Sequence, residues 1–179
     1  MNTSKKTISV EAKYSDDNQH RYLLRKVWNK ELPEVTVIMI NPTCEDELTQ
    51  DLTSILVQNN VSKYGFGGVS IVNLYSRITP KIIVRWNSDK ELIGDDNDKE
   101  ILKAAERSET IVIAWGSYGH NNKRVAIRKE SVLKMLKKHR EKFRCIADDD
   151  GRVGLHPLTP SVRSAWKLVT IGDDLYGSI

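Results

Sequence analysis

The first apolar positions of the chain alternate with polar ones. Thr7 to Tyr14 reads TISVEAKY, a period-two pattern that predicts a strand. His20 to Trp28, HRYLLRKVW, follows as a second strand after a polar turn around Asp16 to Asn18. Together they predict an N-terminal β-hairpin. Val35 to Ile40, VTVIMI, is almost continuously apolar, as expected of a strand covered on both faces. Val69 to Tyr75, VSIVNLY, and Thr110 to Trp115, TIVIAW, have the same character, and a short strand is predicted near Arg144 to Ala147. Helices are predicted between them. One covers about Thr49 to Asn60, and one lies within Gly94 to Ser108, where acids at the start suit the helix dipole. A third runs from about Asn121 to Lys142, with Val125, Val132, Leu133, Leu136 and Phe143 near one face. Alternation of this kind predicts a single α/β domain over residues 1–179. Its expected form is a three-layer sandwich with a mostly parallel central sheet. In such sheets the ligand crevice opens beyond the carboxyl ends of the strands.

Four segments at such ends carry candidate chemistry. They are Asn41-Pro42-Thr43, Asn73, Trp115-Gly116-Ser117-Tyr118-Gly119, and the late loop from Gly154 to Thr159 that holds His156 and Leu158. Each has a plain reading as well. Asn-Pro initiates turns, a strand-end Asn caps nearby backbone, and glycines make tight turns. Their shared position after apolar strands is what singles them out. The glycine-rich turn leads into a helix start, a geometry suited to phosphate, with Lys123 and Arg124 adding charge. Tyr64 and Phe66, in Tyr-Gly-Phe-Gly-Gly, are candidate rings for stacking a base.

Charge narrows the partners only mildly. Lys and Arg number 28 against 24 acids, which permits an anionic partner without demanding one. Ten of the basic residues fall between His120 and Arg144, on the third predicted helix, a face for nucleic acid, for a protein partner or simply for water. Two cysteines, Cys44 and Cys145, form no disulfide framework and no closed zinc site, which points to a reducing compartment. No signal-peptide pattern and no apolar run long enough to span a bilayer is present, so a cytoplasmic protein without membrane association is expected. His20, His120, His139 and His156 show no metal-ligand spacing, and no Walker or dinucleotide fingerprint occurs. Neither metal nor cofactor is expected, and the oligomeric state is left open.

The order of motifs resembles the bacterial and phage domain-of-unknown-function family DUF1643. The resemblance rests on Arg21-Tyr22-Leu23, Asn41-Pro42-Thr43, Asn73-Leu74, Trp115-Gly116 with Gly119, and His156-Pro157-Leu158, over roughly residues 20–160. More distantly, the same order is similar to the uracil-DNA glycosylase superfamily. That resemblance implies a glycosylase-like fold and hydrolysis of the N-glycosidic bond of a modified or deaminated base in DNA. The alternative is a module of the same fold that binds nucleic acid or a nucleotide without cleaving it.

By this resemblance Asn41 positions water, Asn73 reads the base edge, His156 faces the departing base and Leu158 presses on the DNA. Pro42, Thr43 and Trp115 are expected to line the substrate site, and, from the glycine-rich turn and helix start themselves, Gly116, Ser117, Gly119, Lys123 and Arg124 are expected to face the nucleic-acid backbone. Two departures stand out. Thr43-Cys44 replaces the Tyr-His that follows Asp-Pro in the uracil-specific branch, and two cysteines cannot hold that superfamily's iron–sulfur cluster. The acidic run Asp148 to Asp150, just before the histidine loop, is expected to repel phosphate.

Overall fold

The computed structural model describes residues 1–43, 48–84 and 87–172. Cys44 and the acids Glu45 to Glu47 lie outside the described residues. In chain order the elements are β1 (Ser9–Tyr14), β2 (Arg21–Val27), β3 (Glu34–Met39), α1 (Leu52–Lys63), β4 (Gly68–Asn73), α2 (Asp89–Ile93), α3 (Asn97–Arg107), β5 (Thr110–Ile113), α4 (Lys123–Met135), a 3-10 helix (Lys137–Lys142), β6 (Phe143–Ala147), a 3-10 turn (Pro160–Val162) and β7 (Lys167–Thr170).

The seven strands form one sheet in the order β1-β2-β4-β3-β5-β6-β7. The hairpin expected at the N-terminus is present, with β1 antiparallel to β2. The expectation of a mostly parallel sheet needs correction, because the sheet is mixed. β3 pairs in parallel with β4 and β5, and β5 with β6. The pairings β1–β2, β2–β4 and β6–β7 are antiparallel. The reason is topological. Only strands joined through a helix return in the same direction, and both ends of the chain add strands without one.

The two faces of the sheet are covered separately. On one face, Ile38, Val72, Ile111, Ile113 and Trp115 pack against Ile101, Ala104 and Ala105 of α3 and Val125, Val132 and Leu133 of α4. On the other, Val35, Val37, Met39, Val69, Ile71 and Ala114 pack against Val57 and Val61 of α1, with Phe66, Val162 and Trp166. These continuous apolar strands are buried on both sides, as their composition requires. Among the described residues no helix is long and apolar enough to cross a membrane.

Candidate functional site

Numbered in chain order, the four parallel strands lie 2-1-3-4, so the sheet reverses its winding between β3 and β5. At such a switch point the connections leave to opposite faces, and a crevice opens at the carboxyl ends. Here α1 leaves to one face, and α3 and α4 cover the other. Asn41 follows β3 and Gly116 follows β5, so the two flank the switch point.

The remaining loops are tied to this place by direct contact. Asn41 Nδ2 donates to the Pro42 carbonyl at 2.9 Å and to the Thr79 carbonyl at 2.8 Å, joining the loops after β3 and β4. Both its donors are thus engaged by the main chain, and Oδ1 accepts no hydrogen bond from the described residues. Thr43 Oγ1 donates to Asp51 Oδ2 at 2.8 Å, while Asp51 Oδ1 caps α1 through the Ser54 amide at 2.6 Å. Gly116 holds φ at +62°, and a Cβ placed there would stand 2.9 Å from His156 Cβ. The loops after β5 and β6 therefore touch.

Asn73 closes β4, level with Met39 of β3. Strand alternation puts its side chain on the face of Ile71, the α1 face. It is 1% exposed, and its Oδ1 has no hydrogen-bond partner among the described residues. A strand-end cap bonds nearby backbone; Asn73 does not. Its main chain is held rigidly, with Asn97 Nδ2 donating to the Asn73 carbonyl at 3.1 Å and Arg128 Nε to the Leu74 carbonyl at 2.8 Å.

His156 is half-buried. Its Nδ1 accepts from the Leu158 amide at 3.2 Å, which assigns the neutral proton to Nε2. Burial pushes its pKa below the ordinary histidine value, against the pull of the Asp51 carboxylate. The loop that carries it is braced by Asp148, which accepts from the Arg152 main chain at 3.0 Å, Arg152 Nε at 2.8 Å and Ser161 Oγ at 2.7 Å. The acidic run is therefore not a bare repulsive patch. Asp148 and Asp150 pair with Arg152, and Asp149 with Lys167 at 2.7 Å.

Other candidates sit elsewhere or are already engaged. Tyr64 caps the end of α1, and its hydroxyl donates to the Trp166 carbonyl at 2.6 Å. Phe66 is a core residue just before Gly68, at the amino end of β4, with Asn73 at its other end. Neither ring joins the loops at the carboxyl ends. Trp115 is 1% exposed within the α3/α4 core, with Lys129 Nζ 5.5 Å from its ring centroid. It is packed on every side rather than offered as an open platform.

The start of α4 is not a free phosphate cradle. Asn122 Oδ1 accepts from the amides of Arg124 at 3.0 Å and Val125 at 3.3 Å. Arg124 donates to the carbonyls of Val84 at 2.6 Å and Asn87 at 2.9 Å and pairs with Asp89 at 2.5 Å. Lys123 and Ser117 are exposed, and Gly119 at φ +68° packs on Val125. The basic helix is also less basic outside than its sequence implies, since Arg128 and Lys129 are buried. Pro42 is buried and Leu158 half-buried beside the switch point.

Two residues of the α1 face go unnoticed in the sequence. Asp51 is the cap that holds Thr43. Lys26 is 2% exposed on β2, with no ion pair or hydrogen bond to its ammonium among the described residues. Burial and the Arg21 cation depress its pKa, while Asp51 acts the other way. The signal available in the sequence was a lysine two places from Leu24, on an inward-facing register of a strand. Among the described residues no group of three His, Cys, Asp or Glu side chains is arranged to hold a metal.

Fold and site thus define an α/β protein with Asn41, Asn73 and the Gly116–His156 contact at the carboxyl ends of strands around a topological switch point. The chain belongs to the family described as "Protein of unknown function (DUF1643)", whose model matches residues 21–158. No curated protein and no solved structure gave a match.

Proposed function

We propose that the chain is a glycosylase-like hydrolase, distantly related to the uracil-DNA glycosylases, that releases a modified or deaminated base from a nucleotide in DNA. The observation that carries this reading is Asn73. A buried amide whose oxygen has no partner is costly, about 1–3 kcal/mol, and a ligand that supplies a donor removes the penalty. An amide offers one acceptor and two donors, the pattern needed to read a base edge.

The other groups support the same chemistry. Asn41 cannot take a proton at neutral pH. With both its N–H groups held by carbonyls, its oxygen is oriented for one task, accepting from a water. The N-glycosidic bond breaks and the base leaves with the electron pair; the water adds to the oxocarbenium-like C1′ and gives up a proton to solvent, and solvent protonates the departed base. His156, neutral and protonated on Nε2, donates to the base as negative charge develops. Lys26, whose backbone is level with Val69 but whose buried ammonium feels the Asp51 carboxylate, supplies a cation on the α1 face for the phosphate of the same nucleotide. A binding module without catalysis is the second reading, favoured by the absence of a general base at Asn41.

The test is base release followed by mass spectrometry over damaged, deaminated and phage-type modified bases, in single and double strands, beside binding by fluorescence anisotropy. Release that depends on Asn41 and His156 supports the hydrolase. Binding that depends on Asn73 and Lys26 without release leaves the module. Neither binding nor release overturns both.

A further inference from the structure

Away from the switch point, β1 stands at the end of the sheet. It pairs with β2 on one side and with no strand on the other among the described residues. Its outer main-chain N–H and C=O groups are a template for a further strand. β1 is six residues long and carries no inserted residue of its own. The one irregularity in its pairing, Lys13 with Leu23 and then Tyr14 with Arg21, skips Tyr22 of β2. The opposite edge is less suited to pairing: β7 has four residues, and its Lys167 is already paired with Asp149 at 2.7 Å.

The side chains of β1 alternate between the two faces of the sheet. Ser9, Glu11 and Lys13 lie on the α3 face, where Lys13 Nζ donates to Glu100 Oε2 at 2.8 Å and Glu11 stands opposite Arg25. Val10 and Ala12 lie on the α1 face and pack, half-buried, against its core. Glu11 and Lys13 are the two charges of the strand, and both keep room for another partner. Their side chains are 45% and 36% exposed. Glu11 touches Arg25 Nη1 only at 3.5 Å, because that guanidinium is committed to Glu34 through Nε at 2.9 Å and Nη2 at 2.5 Å.

This charge pattern is self-complementary in one register. In an antiparallel pair, directly opposed residues point to the same face, so a two-fold axis between two copies of β1 must pass through a residue. An axis at Glu11 opposes two glutamates, and an axis at Lys13 opposes two lysines. An axis at Ala12 sets Glu11 against the partner's Lys13 and Lys13 against the partner's Glu11, with Val10 against the partner's Tyr14 on the other face. Opposite charges placed across two strands stabilise the pair, and like charges directly opposed destabilise it. We propose that β1 pairs with β1 of a second copy of this chain about a two-fold axis at Ala12, joining the two seven-stranded sheets into one. This surface is independent of the reaction proposed above.

The test is sedimentation equilibrium of the full chain over a range of concentrations. Wild type should form a dimer that weakens as salt is raised. Glu11→Lys and Lys13→Glu each turn both cross-strand ion pairs into like-charge pairs, and each should lower self-association about tenfold or more. Mixed together, the two variants restore both pairs, so they should associate with each other more tightly than either does with itself. Glu11→Lys leaves the bond between Lys13 and Glu100 in place, so it tests the register without touching the contact with α3. Circular dichroism confirms that each variant is folded. Ala12→Cys places its thiols opposite each other across the axis and should cross-link under mild oxidation, with wild type as the control. Val10→Cys should not, because its own counterpart lies about 14 Å away, beyond disulfide reach. A wild type that is monomeric at every concentration, self-association unchanged by Glu11→Lys, or Val10→Cys cross-linking as fast as Ala12→Cys overturns the proposal.

Discussion

Gly116 lies against His156 so closely that a Cβ on the glycine would stand 2.9 Å from the histidine Cβ and 3.2 Å from its amide nitrogen. The loop after β5 thus sets how far the histidine loop closes over the sheet. Gly116→Ala meets two obstacles, a φ of +62° and this contact. Gly151→Ala meets only the first, since its φ is +81° and nothing lies within 4 Å. A left-handed residue with a Cβ costs about 1–2 kcal/mol. Urea unfolding should show about that loss for Gly151→Ala and a larger one for Gly116→Ala. Equal losses would mean that the loops do not press on each other.

Asn73 separates stability from selectivity. Asn73→Leu removes an orphaned polar atom from a buried site, so the melting temperature should hold or rise. Asn73→Asp buries a carboxylate without a donor and should destabilise by at least about 1–3 kcal/mol at neutral pH. Both should abolish discrimination among bases in a binding panel. A strand cap would show the reverse for leucine, with lower stability and unchanged selectivity.

Arg124 illustrates where sequence reading stops. Its place in the first turn of a basic helix, after a glycine-rich turn, is that of a phosphate ligand. Only the folded chain brings the Val84 and Asn87 carbonyls and Asp89 to its guanidinium. Arg124→Ala should therefore speed hydrogen exchange around residues 87–93 and leave the salt slope of nucleic-acid binding unchanged. Lys123→Ala, which is exposed, should reduce that slope by about one ion if α4 tracks a backbone.

Other features were legible because their signals are local. Val35, Val37 and Ile38 read as buried on both faces, and polar residues directly after such runs mark the carboxyl ends where Asn41, Asn73 and Gly116 stand. The first strand of the hairpin shows in the alternation of Thr7 to Tyr14 and its partner in following a polar turn, and the core face of α4 shows in the spacing of Val125, Val132 and Leu133. Long-range pairing leaves no such trace. β2 is antiparallel to β4, a strand more than 40 residues later, and β7 is four residues that become a strand only beside β6. The α2 helix is five residues long, too short to show a period. Phe66 looked available because an aromatic residue in a glycine-rich segment suggests a loop, and Trp115 because it ends an apolar strand beside a glycine-rich turn, yet both are core.

The pH dependence of stability should come in two steps. His20 and His156 both have folded pKa values below the ordinary 6.5. The unfolded chain therefore takes up these protons first, and stability is full above pH 6.5 and falls as pH drops through it. The slope is bounded by about 1.4 kcal/mol per pH unit for each histidine. A second loss follows at lower pH, as Asp17, Glu34, Glu100 and Asp148, all depressed below their ordinary values, become protonated. Thermal melts from pH 8 to 3 should resolve the two windows. His20→Gln and His156→Gln should each flatten the upper one and leave the lower one in place.

Catalysis tests Asn41 and His156 by different routes. Asn41 does two things in the proposed reaction: its N–H groups tie the Pro42 and Thr79 carbonyls, and its oxygen orients the water. Asn41→Ala removes both, so it should lower stability by about 1–2 kcal/mol as well as turnover. Asn41→Asp keeps an oxygen but sets it against two carbonyls, and the loop should shift rather than gain a base. His156→Ala removes the Nε2 donor while leaving the main-chain contact of Thr159 with the His156 carbonyl intact. Loss of one preorganised donor slows the chemical step by about 10²–10³-fold. His156→Ala should therefore reduce single-turnover base release by that factor with affinity nearly unchanged. Because His156 is neutral in the folded chain, release by wild type should show no inflection near pH 6.5, only one at lower pH. The double variant should lose less than the product of the two single effects if both residues serve one transition state. Single-turnover rates across pH, measured on the base that the panel identifies, decide it. A rate unchanged by His156→Ala removes the histidine from the reaction.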